Sequence, residues 1–171
     1  MKSKNTIIAF TVGIIFIGLF IWGGIGNRET GTSTQRTSMS TAFASGLTAS
    51  ETFYDFGTIS MKNGNVMKEF TVTNTTDQDI NVLTVLTSCM CTTAFVVEPS
   101  GSIKGPFRMP GMGYVPPANE RIASGESRVI RVVYDPNAHG PAGVGKINRT
   151  VTLTNAAGAV LELEIQALVT P

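Results

Sequence analysis

Apolar and polar residues alternate along much of the chain from Glu51 onward. The clearest example is the segment 161–167, in which leucine, isoleucine and alanine occupy every second position between glutamate and glutamine. A period of two places successive side chains on opposite faces of a β-strand, so this segment is predicted to be a strand with one buried face. Six further strands are predicted at 53–59, 66–74, 80–87, 94–97, 129–134 and 147–154.

Turn-forming residues separate these predicted strands. Asn63-Gly64 follows the first of them, and the segment 155–158 joins the last two in a tight hairpin. No stretch from Glu51 onward has the period of an amphipathic helix. The segment 80–87 is nearly continuously apolar, which indicates a strand covered on both faces or at the centre of a sheet. The predicted fold class is therefore all-β, an antiparallel Ig-like β-sandwich of about seven strands.

A long apolar run precedes the predicted sandwich. Residues 7–25 contain no charged side chain, and about 19 residues at ~1.5 Å each span roughly 28 Å, close to the thickness of a bilayer core. Lys2 and Lys4 lie in front of this run, which predicts that the N-terminus stays in the cytoplasm and the rest of the chain is exported. We therefore predict one N-terminal transmembrane helix that acts as a signal-anchor, with a cytoplasmic tip, over 1–26.

The alternative for the N-terminus is a cleaved signal peptide. Residues 42–44 have the Ala-x-Ala form of a cleavage site, but they lie well beyond the apolar run, so a retained anchor is favoured. The segment 27–50 is rich in serine, threonine and glycine and is predicted to be a flexible linker. The sandwich domain is then expected at 51–171, on the outer side of a cytoplasmic membrane that the chain crosses once.

Charge excludes one class of partner. The 171 residues carry a formal net charge of +1, and the two signs are mixed along the chain. A nucleic-acid-binding protein needs a clustered basic face, so no nucleic-acid partner is expected. The expected partners are the membrane and a protein that the sequence does not identify.

Five short motifs in a fixed order carry a family resemblance. They are Tyr54–Ile59, Phe70–Asn74, Ser88–Thr92, Ser124–Ser127 and Val133–Pro136. In this order they resemble an uncharacterised bacterial family of exported domains of unknown function, Ig-like and similar to Hydin-type domains, with a Ser-Cys-Gly-Cys-Thr motif. The resemblance implies the fold and a bacterial inner membrane with the domain on its periplasmic or extracellular side. It implies no activity, because the family has none established.

This chain departs from the family pattern at three places. Met90 replaces the glycine between the cysteines, and Ser124 replaces the proline of a Pro-Gly-Glu turn. A segment rich in glycine and proline is also inserted before that turn.

Cys89 and Cys91 form a Cys-x-Cys pair at the end of the predicted strand 80–87. In an extended strand their side chains share one face, with Cα atoms about 6.5–7 Å apart, at or beyond the limit for a disulfide. Metal–sulfur bonds of about 2.3 Å would let both thiolates bind one ion. A buried pair of small side chains or a strained disulfide are the alternatives. A thiol-redox role is the weakest, because the pair lacks the Cys-x-x-Cys arrangement at a helix N-terminus.

Three other soft ligands occur in loops: His139, Met109 and Met112. If the strands alternate in direction, the loop 135–146 returns His139 to the cysteines, whereas the methionines begin at the opposite end of the sandwich. Thiolate, imidazole and thioether ligands favour Cu(I) first and Zn(II) second. His139 as a turn residue and the methionines as loop packing are the alternatives.

Two function hypotheses follow from the sequence. The first is a non-enzymatic, membrane-anchored binding or assembly module; the second is a soft-metal protein using Cys89, Cys91, His139, Met109 and Met112, with copper or zinc as the cofactor. Asp55 and Asp135 are predicted to be turn residues rather than a catalytic pair.

Overall fold

The computed structural model of the protein describes residues 45–171. The predicted anchor and the segment 27–44 of the predicted linker lie outside these residues. Within the described part, no helix has the length and apolar character needed to span a membrane.

Ten strands form two five-stranded sheets, which confirms an all-β fold. In chain order they are β1 Leu47–Ala49, β2 Phe53–Ser60, β3 Val66–Asn74, β4 Ile80–Thr87, β5 Thr92–Val97, β6 Ile103–Phe107, β7 Glu120–Ile122, β8 Ser127–Tyr134, β9 Gly145–Asn155 and β10 Val160–Thr170. One sheet has the order β1-β3-β8-β5-β6 and the other the order β2-β10-β9-β4-β7.

The prediction of a purely antiparallel sandwich is wrong at one pair of strands. β2 lies at the edge of its sheet and pairs parallel with β10, from Phe53 beside Glu164 to Ser60 beside Thr170. The chain leaves β1 in one sheet and enters β2 in the other after three residues, so β2 meets β10 in the same direction. All other strand pairs are antiparallel.

The core lies between the two sheets and is built by the predicted alternation. In β10 the apolar residues Leu161, Leu163, Ile165, Ala167 and Val169 are each 1% exposed, while the intervening side chains are half-buried or exposed. The inward-facing residues of β3, β5 and β8 complete the same cluster. Packing therefore holds the sheets together, and both cysteines are free.

Three strands were not predicted from the sequence. β1 and β7 have three residues each, too few for a period of two to be recognised, and β6 contains Gly105 and Pro106, which indicate a turn. β1 lies inside the predicted linker, yet Leu47 is 1% exposed and pairs with Asn74 of β3. The end of that linker is therefore part of the sandwich.

β4 is less covered than its apolar sequence indicates. Its ladder with β9 shifts register between Val82 and Thr84, and Leu83 is 37% exposed. One face of β4 therefore reaches solvent. β4 still lies inside its sheet, between β9 and β7, which agrees with the predicted alternative of a strand at the centre of a sheet.

One end of the sandwich brings three segments together. β4 ends at Thr87 and β5 begins at Thr92, so the cysteines form the link between the two sheets. β8 runs antiparallel to β5, and its last residue, Tyr134, lies beside Thr92. The loop after β8 therefore starts next to the cysteines, as strand direction predicted.

Candidate metal centre

The cysteines lie in a tight turn rather than in an extended strand. The backbone N–H of Thr92 donates to the Cys89 carbonyl at 3.1 Å, which closes a four-residue turn over 89–92. Thr87 stabilises this turn from the core side, because its buried hydroxyl lies 3.2 Å from the Cys89 carbonyl oxygen and 3.1 Å from the Thr92 carbonyl oxygen. The extended geometry assumed from the sequence is therefore wrong, and the turn brings the two thiols together.

The two cysteines differ in exposure. Cys91 is 2% exposed and packs in the core, whereas Cys89 is half-buried at the rim and accepts a hydrogen bond at 3.4 Å from the Cys91 backbone N–H. Met90, between them, is 45% exposed. The turn thus presents one sulfur from the core and one from the surface.

The loop after β8 places His139 over this turn. The Asp135 backbone N–H donates to the Cys91 carbonyl at 2.9 Å, and the Asp135 carboxylate accepts from the Asn137 N–H at 2.8 Å. The Asp55 carboxylate likewise accepts from the Gly57 N–H, but Asp55 lies within β2, so the predicted turn or strand-end role is confirmed for Asp135 and is wrong for Asp55. A Cβ atom on Gly143 would lie 3.3 Å from the His139 Cβ, so the loop packs closely because Gly143 has no side chain.

Cys89, Cys91 and His139 converge on one point. The Cys89 Sγ and His139 Nε2 atoms lie 3.1 Å apart and share a hydrogen bond. The three possible ligand atoms all lie within 4.8 Å of one another. Three ligand atoms bonded to one ion at about 2.3 Å in a trigonal arrangement lie about 4 Å apart, so a pair at the 4.8 Å limit would need to close by under about 1 Å. The arrangement fits one metal ion, reached from solvent on the side of the exposed His139.

Arg149 is a further member of the site that the sequence analysis missed. Its Nε–H donates to the Cys91 Sγ at 3.1 Å, and its Nη1 donates to the Asn148 carbonyl at 2.7 Å. Arg149 shares the inward face of β9 with Ile147 and Val151, which are both buried. The sequence signal for Arg149 is a charged residue at a position where the alternation of β9 predicts a buried apolar side chain.

The site separates the acidities of the two thiols. Burial raises the pKa of Cys89, but hydrogen bonds from the Cys91 thiol and backbone and from His139, together with the charge of Arg149, lower that pKa to about 7. Burial and the hydrogen bond to Cys89 raise the pKa of Cys91, against the hydrogen bonds of Arg149 and Thr92. Near neutral pH, Cys89 is therefore ionised in substantial part, whereas Cys91 keeps its proton.

Alkylation of the metal-free, reduced protein should show this difference. We expect the rate at which Cys89 reacts with iodoacetamide to have its pH midpoint near 7 instead of at the ordinary thiol pKa of 9.0. At every pH below 9.0, Cys91 should react more slowly than Cys89, because Cys91 is buried and protonated. Tandem mass spectrometry of the peptide that contains both residues measures each rate.

The matched variant for this experiment is His139→Ala. It should move the pH midpoint of Cys89 alkylation upward, because it removes one of the hydrogen bonds that stabilise the thiolate.

The lowered pKa of Cys89 also affects folding stability. The Cys89 thiolate stabilises the fold at pH values above the ordinary thiol pKa, and this stabilisation is lost as the pH falls through about 7. A wild-type midpoint at the ordinary value would contradict this description of the site.

The methionines are placed differently from the prediction. β6 runs back toward the cysteines, and the Arg108 carbonyl accepts from the Thr87 N–H at 3.4 Å, so Met109 begins at the cysteine end and not at the opposite end. The error arose because β6 was not predicted. Met109 is half-buried and Met112 is 50% exposed. Within residues 45–171, the hydrogen bonds of Cys89, Cys91 and His139 include none to a methionine sulfur.

One protein-family model matches part of the chain. Residues 47–103 match the family described as "Protein of unknown function (DUF1573)". This agrees with the motif resemblance to a family of unknown function. The matched segment includes Cys89 and Cys91 and ends before His139 and Arg149. No curated protein matches the chain.

Solved structures show a likeness of fold. A protein of unknown function from Porphyromonas gingivalis W83 has a TM-score of 0.50 at 14% identity, covering 71% of this chain and 46% of that one. The secreted serine protease VesC from Vibrio cholerae has a TM-score of 0.48 at 14% identity, covering 79% and 26%. A family 123 glycoside hydrolase from Clostridium perfringens has a TM-score of 0.49 at 8% identity, covering 70% and 23%. The chain spans less than half the length of each of these proteins.

Proposed function

We propose that the protein is a non-enzymatic module that binds one soft metal ion through Cys89, Cys91 and His139. The observation that carries the proposal is the convergence of two sulfurs and an imidazole nitrogen within 4.8 Å, from residues 50 positions apart in sequence. Thiolate and imidazole ligands favour Cu(I), and Zn(II) is the second choice.

The scaffold holds the two thiols in place without a bound ion. Cys91 is fixed in the core and the turn is held by the Thr87 hydroxyl, so the sulfur positions do not depend on a bound ion. His139 lies on a loop tied to the same turn by the Asp135 N–H. A rigid sulfur pair below an exposed histidine is suited to taking up and releasing an ion from one side.

The proposed location rests on the sequence. The uncharged run 7–25 behind Lys2 and Lys4 supports a single-pass anchor in a bacterial inner membrane, with an Ig-like domain on the periplasmic or extracellular side. At that location the metal site would face an oxidising compartment, in which a bound ion also protects the thiols.

A second candidate function is binding or assembly with a protein partner. The feature that favours it is β2, an edge strand of eight residues with no neighbour on its outer side among the described strands. Phe53, at its start, is 47% exposed. A free edge of this length can accept a strand from another chain.

Metal titration of the full chain tests the first proposal. The reduced protein, kept in detergent micelles without oxygen, is titrated with Cu(I) and Zn(II) against colour-forming chelators. We expect one ion per chain, tighter binding of Cu(I), and a loss of at least about tenfold in Cu(I) affinity for His139→Ala.

One outcome of the titration would contradict metal binding. If both thiols stay freely reactive and neither ion is taken up, the metal proposal fails and the assembly role is the function that the structure supports. Asn137→Ala is the matched control for His139→Ala: it lies in the same loop, and its side chain contacts the Met61 carbonyl rather than a sulfur.

A further inference from the structure

Arg149 places a positive charge beside the sulfur pair. Its Nε–H contacts the Cys91 Sγ at 3.1 Å, and its charge acts on both thiols and on Tyr134. Among residues 45–171 it forms no ion pair with a carboxylate. The group of possible metal ligands likewise contains no carboxylate. When a bound ion displaces both thiol protons, the two sulfurs are therefore the anions that face this guanidinium.

The charge of a loaded site depends on the ion. Two thiolates and a neutral imidazole give one net negative charge with Cu(I) and no net charge with Zn(II). A guanidinium in contact with a ligand sulfur neutralises the first complex and leaves the second with an excess positive charge. Because Arg149 is only half-buried, this difference is reduced by solvent but not removed.

Ligand number acts in the same direction. Three side chains converge, whereas Zn(II) in proteins takes four ligands almost always and would need water or another group in the fourth position. Cu(I) is satisfied by a soft set of three.

We propose that Arg149 makes the Cys89–Cys91–His139 site selective for Cu(I) over Zn(II), by neutralising the net negative charge of the Cu(I)-loaded centre. This inference rests on the proposed function, since it requires the site to bind metal. Arg149 is then a positioning and selectivity residue that holds Cys91 and is not itself a ligand.

Competition titrations with Cu(I) and with Zn(II) on the full chain test the inference. The variants are Arg149→Gln, Arg149→Lys, which keeps the charge, and Lys146→Gln, which removes a charge from an exposed position of the same strand. Arg149→Gln should lower the ratio of the Cu(I) affinity to the Zn(II) affinity at least about tenfold, because the guanidinium stabilises the negatively charged Cu(I) centre more than the neutral Zn(II) centre. This change in the ratio should shrink at high salt.

The controls separate charge from structure. Arg149→Lys should keep most of the Cu(I) preference, and Lys146→Gln should keep all of it. Two results would overturn the selectivity role while leaving metal binding intact. One is an equal loss of affinity for both ions in Arg149→Gln. The other is a loss of Cu(I) preference in Arg149→Lys as large as the loss in Arg149→Gln. A wild-type protein that binds neither ion would overturn the proposed function and this inference together.

Discussion

Cys91→Ser should reduce Cu(I) affinity at least about a hundredfold, because substitutions that only touch a metal ligand already cost about 10–100-fold. The serine hydroxyl is a hard, protonated group and a poor ligand for a soft ion. It is also nearly the size of the thiol, so the 2% exposed site should stay packed. Chelator competition measures the affinity, and thermal unfolding of the metal-free protein checks the fold.

Met90→Leu is the matched control for Cys91→Ser. Met90 lies between the cysteines and carries a soft thioether on a side chain that is 45% exposed. Its replacement should leave the affinity within about threefold. A loss comparable to that of Cys91→Ser would mean that the turn binds metal through a different set of atoms.

The predicted methionine ligands need their own variant. The double substitution Met109→Leu and Met112→Leu should leave Cu(I) affinity unchanged if the site consists of two sulfurs and one nitrogen. A loss of about tenfold or more would restore the methionines to the ligand set.

Glu120→Gln should lower the free energy of unfolding by about 2–4 kcal/mol, because it removes one partner of a buried ion pair. The Glu120 side chain is 3% exposed and contacts the Lys104 ammonium and the Arg128 Nε, which is 2.5 Å away. Arg128 itself is 10% exposed and would keep Glu126, a more exposed carboxylate, and the backbone carbonyls of Ser127 and Arg121. Urea denaturation of the metal-free protein measures the change.

The same variant separates stability from binding. Glu120 pairs with Val82, at the end of β4 away from Thr87, roughly 16 Å along the strand from the cysteine turn. Cu(I) affinity should therefore stay unchanged in Glu120→Gln. Glu162→Gln, at an exposed position of β10, should change neither quantity. A destabilisation of Glu120→Gln below about 0.5 kcal/mol would show that the ion pair is not a structural element.

The sequence predicted strands well where one face of a strand is buried. The alternation in 161–167 identified most of β10, since each inward side chain is in the core. It could not show that β10 pairs in parallel with β2, because pairing depends on where the chain crosses between sheets. β6 was lost because Gly105 and Pro106 indicate a turn, although an edge strand tolerates both.

The candidate site was predicted in part, for identifiable reasons. Strand direction correctly brought His139 to the cysteines, because β5 and β8 are antiparallel neighbours. The same argument put Met109 at the wrong end, since the unrecognised β6 reverses the chain once more. The turn over 89–92 and the role of Arg149 depend on contacts between distant segments, which residue spacing does not encode.

X-ray absorption spectroscopy of the Cu(I)-loaded full chain tests the central claim most directly, since it reports the atoms bound to the ion. We predict two sulfur ligands and one nitrogen ligand, with the nitrogen lost in His139→Ala. A spectrum with no sulfur, or an all-sulfur spectrum that is the same with and without His139, would contradict a centre built from Cys89, Cys91 and His139.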